Sequence, residues 1–211
     1  MNRERRLEGP NGYAREIGVA PLDSLVRIAR AGRQAKWLDL CCGSGRALIE
    51  AAQRIEAMGL ADRIQIIGVD LAGCFQSVDG AGANLTLHEG GVEDWPFGDA
   101  YDLITCIHGL HYIGDKLNAI RRAVASLASD GAFFANLDLT NIRHADRRPM
   151  GRVVARWLRA TDITYDSRRR LVRCVGPKSP PASFAYLGAD DGAGPNYTGQ
   201  CAVDSYYRVD D

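Results

Sequence analysis

The chain has no surplus of charge of either sign. Its 26 Lys and Arg residues are matched by 26 Asp and Glu, for a formal net charge of zero. General nucleic-acid binders carry a basic excess, so that class is disfavoured, although a local basic patch stays open. No apolar run approaches the roughly 18 residues needed to cross a bilayer. Met1 to Pro10 is charged and lacks the apolar stretch of a secretory signal. These absences lead us to expect a cytoplasmic protein with no membrane partner. No Cys-x-x-Cys pair occurs among the six cysteines, and adjacent Cys41 and Cys42 suit neither a zinc knuckle nor an ordinary disulfide. We expect no metal, and reduced thiols that pack as small hydrophobes, unless one of them lines a site. There is no internal repeat and no long linker, so the 211 residues read as one domain, 1–211. Nothing in the pattern sets an oligomeric state.

What is present is an alternation. Pro21 to Arg33 has Leu22, Leu25, Val26, Ile28 and Ala29 at helical spacing, with Asp23 or Ser24 near its start and Gly32 near its end, so residues 1–35 read as a covering helix region. Trp37 to Cys41 reads as a buried strand, Arg46 to Met58 as a helix, Ile64 to Val69 as a second strand closed by Asp70, and Leu85 to Leu87 as a third. Tyr101 to Ile107 is a fourth strand, Asp115 to Leu127 a helix, and Gly131 to Leu139 a fifth strand. Near-continuous apolar strands separated by helices predict an α/β fold, doubly wound, with a mostly parallel Rossmann-like sheet and helices on both faces. Ile163 to Val175, Ser183 to Leu187 and Val203 to Val209 predict antiparallel strands at the C-terminal edge of that sheet. Residues 36–139 are the core of this scheme, and 140–211 supply a further helix, edge strands and a loop.

Sheets of this kind bind ligands beyond the carboxyl ends of their strands. The first strand, Leu38-Asp39-Leu40-Cys41-Cys42, runs into Gly43-Ser44-Gly45 and then a helix, whose unpaired N–H groups favour anionic or polar ligands. Leu48 stands where the dinucleotide fingerprint has its third glycine, which argues against NAD. Asp70 ends the second strand 25 residues after Gly45; a carboxylate there can accept both hydroxyls of a ribose, or simply cap a turn.

Further segments, Gly90-Gly91-Val92-Glu93-Asp94-Trp95-Pro96-Phe97 and Tyr101 to Cys106 followed by Leu110-His111-Tyr112-Ile113-Gly114-Asp115, complete an ordered set. Over about residues 36–139 this set resembles the class I S-adenosylmethionine-dependent methyltransferases. The resemblance implies S-adenosyl-L-methionine as cofactor. It implies that Asp39, Cys41, Gly43, Ser44 and Gly45 hold the methionine end, that Asp70 takes the ribose hydroxyls, and that Leu71 packs on adenine. Cys106, on the fourth strand, joins this cofactor set. The acidic residue that often meets the adenine amino group falls on Gly91, a departure from the family pattern, so the backbone of Val92 with Glu93 or Asp94 nearby is expected to serve, and Trp95 either walls the pocket or fills the core.

His108, just after the fourth strand, is the first choice for a general base, since an unperturbed imidazole titrates near neutrality; it could instead only shape the turn. His111 is the second choice. Tyr112, Asn136 and Asp138 are candidates for acceptor contact. So are Asp190, Asp191 and Tyr197 in a Gly-rich stretch that could be a mere surface turn; an acidic pair would suit an amine or guanidinium acceptor. Ten arginines between Arg143 and Arg173 against three aspartates leave net +7, either a solvated face or a patch for a phosphate-bearing partner, with Arg152, Arg156 and Arg159 opposite Val153, Val154 and Trp157. The expected activity is methyl transfer to an O or N atom of a small-molecule or peptide-like acceptor. RNA methylation through the 143–173 segment is the alternative, and a non-catalytic cofactor-binding regulator the third reading. The Asp/Asn-Pro-Pro-Tyr/Phe box of exocyclic-amine enzymes and the Pro-Cys pair of cytosine-carbon enzymes are both absent.

Overall fold

The computed structural model describes residues 5–77, 82–98, 100–197, 199 and 201–209. In chain order the elements are α1 (Tyr13–Ile17), α2 (Pro21–Arg30), β1 (Ala35–Leu40), α3 (Arg46–Ala57), β2 (Ile64–Asp70), β3 (Leu85–Glu89) and β4 (Tyr101–Cys106). There follow α4 (Lys116–Ala125), β5 (Leu127–Asn136), β6 (Ile142–His144), α5 (Gly151–Ala160), β7 (Thr164–Asp166), β8 (Leu171–Val175), β9 (Phe184–Asp190) and β10 (Asp204–Val209).

One seven-stranded sheet runs in the order β3-β2-β1-β4-β5-β8-β7. β1 to β5 are parallel, and β8 and β7 join antiparallel beyond β5. Successive strand residues feed opposite cores, as a pleat requires. Trp37, Ile66, Leu103 and Phe134 pack with α1, α2 and α3, whereas Leu38, Val69, Ile104 and Phe133 pack with α4 and α5. The sheet is therefore covered on both faces. Among β1 to β5 the order turns back between β1 and β4, the place where such sheets open a crevice.

Several local expectations are corrected. Neither Asp23 nor Ser24 caps α2; its cap residue is Ala20, and Pro21 occupies the first turn with its φ already helical. β5 begins at Leu127 and ends at Asn136, not at residues 131 and 139, because a register shift opposite Tyr101–Leu103 brings the earlier residues into the ladder. Val153 is 37% exposed, so α5 buries Val154, Trp157 and Leu158 instead. Only β7 and β8 extend the main sheet at its edge. β9 and β10 form a separate three-stranded sheet with β6, in which β10 runs parallel to β6 and antiparallel to β9. Lys116 ties this small sheet to the start of α4: its Nζ donates to Ile113 O and Val203 O at 2.9 Å each and to Ser205 Oγ at 2.6 Å.

Candidate functional site

The ends of β1, β2 and β4 open on a cavity of about 380 Å³, within the range of small-molecule sites. Cys41, Cys42 and Gly43 line it from β1, Asp70 and Leu71 from β2, and His108, Gly109 and Tyr112 from the segment after β4; Arg5 and Tyr13 close it from the N-terminal side.

The turn after β1 reverses the chain from strand to helix within five residues. It does so with Cys41, Gly43 and Gly45 all left-handed, at φ of 57°, 62° and 73°. Glycine adopts this conformation freely, but at Cys41 it costs about 1 kcal/mol or more. Asp70 pins the turn: its Oδ2 accepts the Gly43 N–H at 2.9 Å while Oδ1 accepts the Ala72 N–H at 3.0 Å. Gly68 lets the turn close on β2, since a Cβ there would lie 2.6 Å from Leu48 Cδ1 and 2.9 Å from Cys42 Sγ. Gly45 caps α3, and Ser44 is buried, its carbonyl accepting the Gln76 N–H at 2.9 Å. Leu71, 76% exposed, stands beside the 90–94 turn: a Cβ on Gly91 would be 4.0 Å from Leu71 Cδ1 and 3.6 Å from Asp94 Oδ2.

Asp39 lies behind this wall. Its carboxylate accepts the Tyr13 hydroxyl at 2.7 Å and the Thr105 hydroxyl at 2.5 Å, and Trp37 Nε1 donates to Thr105 Oγ1 at 2.8 Å. Burial pushes the Asp39 carboxyl up to about 7, against the pull of its two hydroxyl partners. Cys106 is buried against Cys41 and does not reach the cavity wall. Val92 sits in the core, and the Glu93 carboxylate accepts the Asp115 N–H at 3.0 Å, so neither lines the cavity. Trp95 packs partly against the core with its ring 5.2 Å from that of His88.

Beyond the glycine turn the cavity meets a polar cluster. His108 takes a left-handed φ of 58°, and its N–H donates to Asn136 Oδ1 at 3.1 Å. Its ring points Nε2 to Glu16 Oε2 at 3.4 Å and Nδ1 to the Tyr197 hydroxyl at 3.4 Å. His111 is wholly buried 5.5 Å from the Tyr197 ring, with no hydrogen-bond partner at either ring nitrogen among the described residues; burial lowers its pKa to about 4, leaving it neutral. Arg170 stacks on Tyr197 at 4.0 Å and donates to Asp138 Oδ2 at 2.6 Å. The structure thus brings His108, His111, Asn136, Tyr197 and the Arg170-bound Asp138 together. Asp190 and Asp191 stand apart: the Asp190 carboxylate accepts the Gly192 N–H at 2.8 Å within its own turn, and Asp191 is exposed outside the cavity lining. Tyr13 and Glu16 had no signal in the sequence, because α1 spans only five residues and shows no period, and Arg5 lies ahead of any element.

Half of the ten arginines between Arg143 and Arg173 make side-chain contacts within the fold. Arg143 pairs with Asp204, Arg148 with Asp146 and Arg170 with Asp138; Arg169 donates to the carbonyls of Arg15 and Glu16, and Arg173 lies over Phe134. Among the described residues no group of three His, Cys, Asp or Glu side chains could hold a metal, and no helix is long and apolar enough to cross a membrane.

A family model described as a methyltransferase domain matches residues 13–175. Among solved structures the chain is similar to the N-methyltransferase NodS from Bradyrhizobium japonicum in complex with S-adenosyl-L-homocysteine, with 17% identity, a TM-score of 0.45, and coverage of 81% of this chain and 89% of that one. It is similar to the YcgJ protein from Bacillus subtilis, with 16% identity, a TM-score of 0.43, and coverage of 73% and 98%. It is also similar to phosphoethanolamine N-methyltransferase 2 of Haemonchus contortus in complex with S-adenosyl-L-methionine, with 19% identity, a TM-score of 0.42, and coverage of 60% and 28%. No curated protein matches the sequence.

Proposed function

Since the chain belongs to the methyltransferase-domain family, whose class I members use S-adenosylmethionine, we propose that it methylates an O or N atom of a small-molecule or peptide-like acceptor. The observation that carries this reading is the adjacency of two parts of one cavity: the turn held by Asp70, and the His108–Glu16–Tyr197 cluster after β4.

The residues suit the cofactor. Gly109, on the cavity wall, packs against Cys41 too closely to carry a side chain, and Asp70 still offers oxygen lone pairs to hydroxyls beyond its two backbone bonds. Leu71 offers an exposed apolar face for a flat ring. Cys41, Gly43 and Tyr13 would border the methionine end. Asp39 would act there through Tyr13, which covers it. S-adenosylmethionine supplies an already activated methyl group, so the protein's task is alignment and exclusion of water, which together can lower a barrier by roughly 7–11 kcal/mol. His108 would take the acceptor's proton, its ring held by Glu16 on one side and Tyr197 on the other. Asn136 would keep His108 in place through its backbone.

The arginines of 143–173 that bond within the fold weaken the RNA reading. The domain is proposed to be a single unit over residues 1–211 and cytoplasmic, in keeping with six unpaired thiols. Calorimetric titration with S-adenosylmethionine and, separately, NAD tests the cofactor. Micromolar binding of the first and none of the second is expected; binding of NAD alone would overturn the assignment. Acceptors are then screened by release of S-adenosylhomocysteine, and a folded protein that binds the cofactor yet turns over no acceptor would favour a regulator.

A further inference from the structure

Two thiols meet behind the glycine turn. The β1–β4 register sets Asp39 opposite Thr105, so Cys41 leaves β1 next to Cys106, the last residue of β4. Between them stands Gly109. A methyl group built on Gly109 would lie 2.8 Å from Cys106 Sγ and 3.0 Å from Cys41 Sγ, and would run into Cys41 Cβ. Both sulfurs therefore pack against the same side of Gly109, so closely that no side chain fits there. The neighbouring Cys41 thiol and burial keep Cys106 in its protonated form.

Their access differs. Cys41 is half-buried and lies on the cavity wall, whereas Cys106 is buried beneath it. Cys41 also holds the left-handed conformation that glycine adopts at least cost, so the turn itself does not call for a side chain there. A side chain held in a strained conformation on a cavity wall points to a use for its chemistry. Neighbouring Cys42 also borders the cavity, but it is buried and its sulfur packs close to Gly68.

We propose that Cys41 and Cys106 form a hydroperoxide-reactive dithiol whose oxidation to a disulfide closes the cavity to S-adenosylmethionine; this rests on the reading of the cavity as the cofactor site. In the first step the Cys41 sulfur, as thiolate, attacks one peroxide oxygen. The O–O bond breaks, hydroxide leaves and takes a proton to become water, and Cys41 becomes a sulfenic acid. In the second step the Cys106 sulfur attacks the Cys41 sulfur. The S–O bond breaks, the leaving hydroxide takes the Cys106 proton as a second water, and the disulfide forms. Two electrons pass from the sulfurs to the peroxide. The new bond ties the Cys41–Gly43 turn to the end of β4, and so withdraws it from the position in which Asp70 holds it. A thiol reductant reverses the change.

The test uses the full chain, free of cofactor. It is exposed to hydrogen peroxide under native conditions, its remaining thiols are blocked with N-ethylmaleimide, and it is digested without reduction for mass spectrometry. Affinity for S-adenosylhomocysteine is measured by calorimetry before oxidation, after it, and after dithiothreitol. The expected result is a peptide joining Cys41 to Cys106, an affinity lower by about tenfold or more, recovery on reduction, and slower crosslinking when S-adenosylhomocysteine is bound. Cys106→Ser should instead leave a Cys41 sulfenic acid that dimedone traps. Cys41 and Cys106 still unlinked after exposed Cys74 and Cys201 have reacted would overturn the proposal, as would a crosslinked protein of unchanged affinity. A reduced protein that binds no S-adenosylhomocysteine would overturn the cofactor reading and with it the closing role, whether or not the crosslink forms.

Discussion

Glu16 Oε2 lies 3.4 Å from His108 Nε2, although one residue belongs to a helix that precedes the sheet and the other follows the fourth strand. The N-terminal segment is thereby a wall of the site. Arg5 binds the other oxygen of the same carboxylate at 3.2 Å, and Arg169 holds the Glu16 carbonyl at 2.7 Å.

The His108 ring is the main reason that the Glu16 carboxyl sits below the usual range. His108→Ala is expected to move the Glu16 titration upward, read from carboxyl carbon shifts. A depressed carboxyl adds stability above its unfolded pKa and loses it as pH falls through the folded value. The stability gap between wild type and variant should therefore be widest near neutrality and narrow in acid. An unmoved Glu16 titration would show that the two groups do not interact. With an acceptor in hand, the same variant should lose turnover by roughly 10²-fold or more, with little change in cofactor affinity.

Asp39 titrates at about 7 because it is buried. Between its ordinary value of about 3.9 and about 7 the folded state holds a proton that the unfolded chain has released, so the wild type should lose stability as pH rises through that window. Asp39→Asn removes this dependence. Denaturant midpoints from acid to neutral pH should decline less steeply in the variant, and parallel curves would contradict the assignment.

Lys116 is a buried amine with three neutral acceptors, and burial lowers its pKa to about 7. Lys116→Met leaves those acceptors unpaired and should cost about 2–4 kcal/mol. The unfolded lysine keeps its proton up to about 10.4, so the wild type should gain stability between about pH 7 and that value while the variant does not. Chemical unfolding at two pH values in this window decides the matter.

Asp70→Ala should weaken binding of S-adenosylmethionine by well over tenfold, about 1.4 kcal/mol or more, in a protein that still folds. It removes the acceptor of the Gly43 N–H as well as the proposed ribose contact. Full affinity in calorimetry, with an unchanged circular dichroism spectrum, would defeat the assignment.

The alternation of strand and helix was readable from residue 36 onward, because a buried parallel strand is a continuous apolar run and its crossover helix has a period of its own. The turn at Gly43 to Gly45 and the strand end at Asp70 were readable for the same reason: each is a local backbone requirement written in residue type. The helix at Tyr13–Ile17 was not, since five residues carry no period. Nor was the separate sheet of β6, β9 and β10, because alternation marks a strand without naming its neighbour.

The amino-acid sequence by itself determined the order of elements, the doubly wound class and the place of the glycine turn after β1. Only the tertiary structure decided which side chains meet: Tyr13 with Asp39, Glu16 with His108, Cys41 with Cys106, Lys116 with Ser205. It also turned Glu93 and Asp190 onto nearby backbone N–H groups and away from the cavity. Periodicity and glycine report constraints that act over a few residues, whereas these encounters join segments far apart in the chain and depend on how whole elements pack.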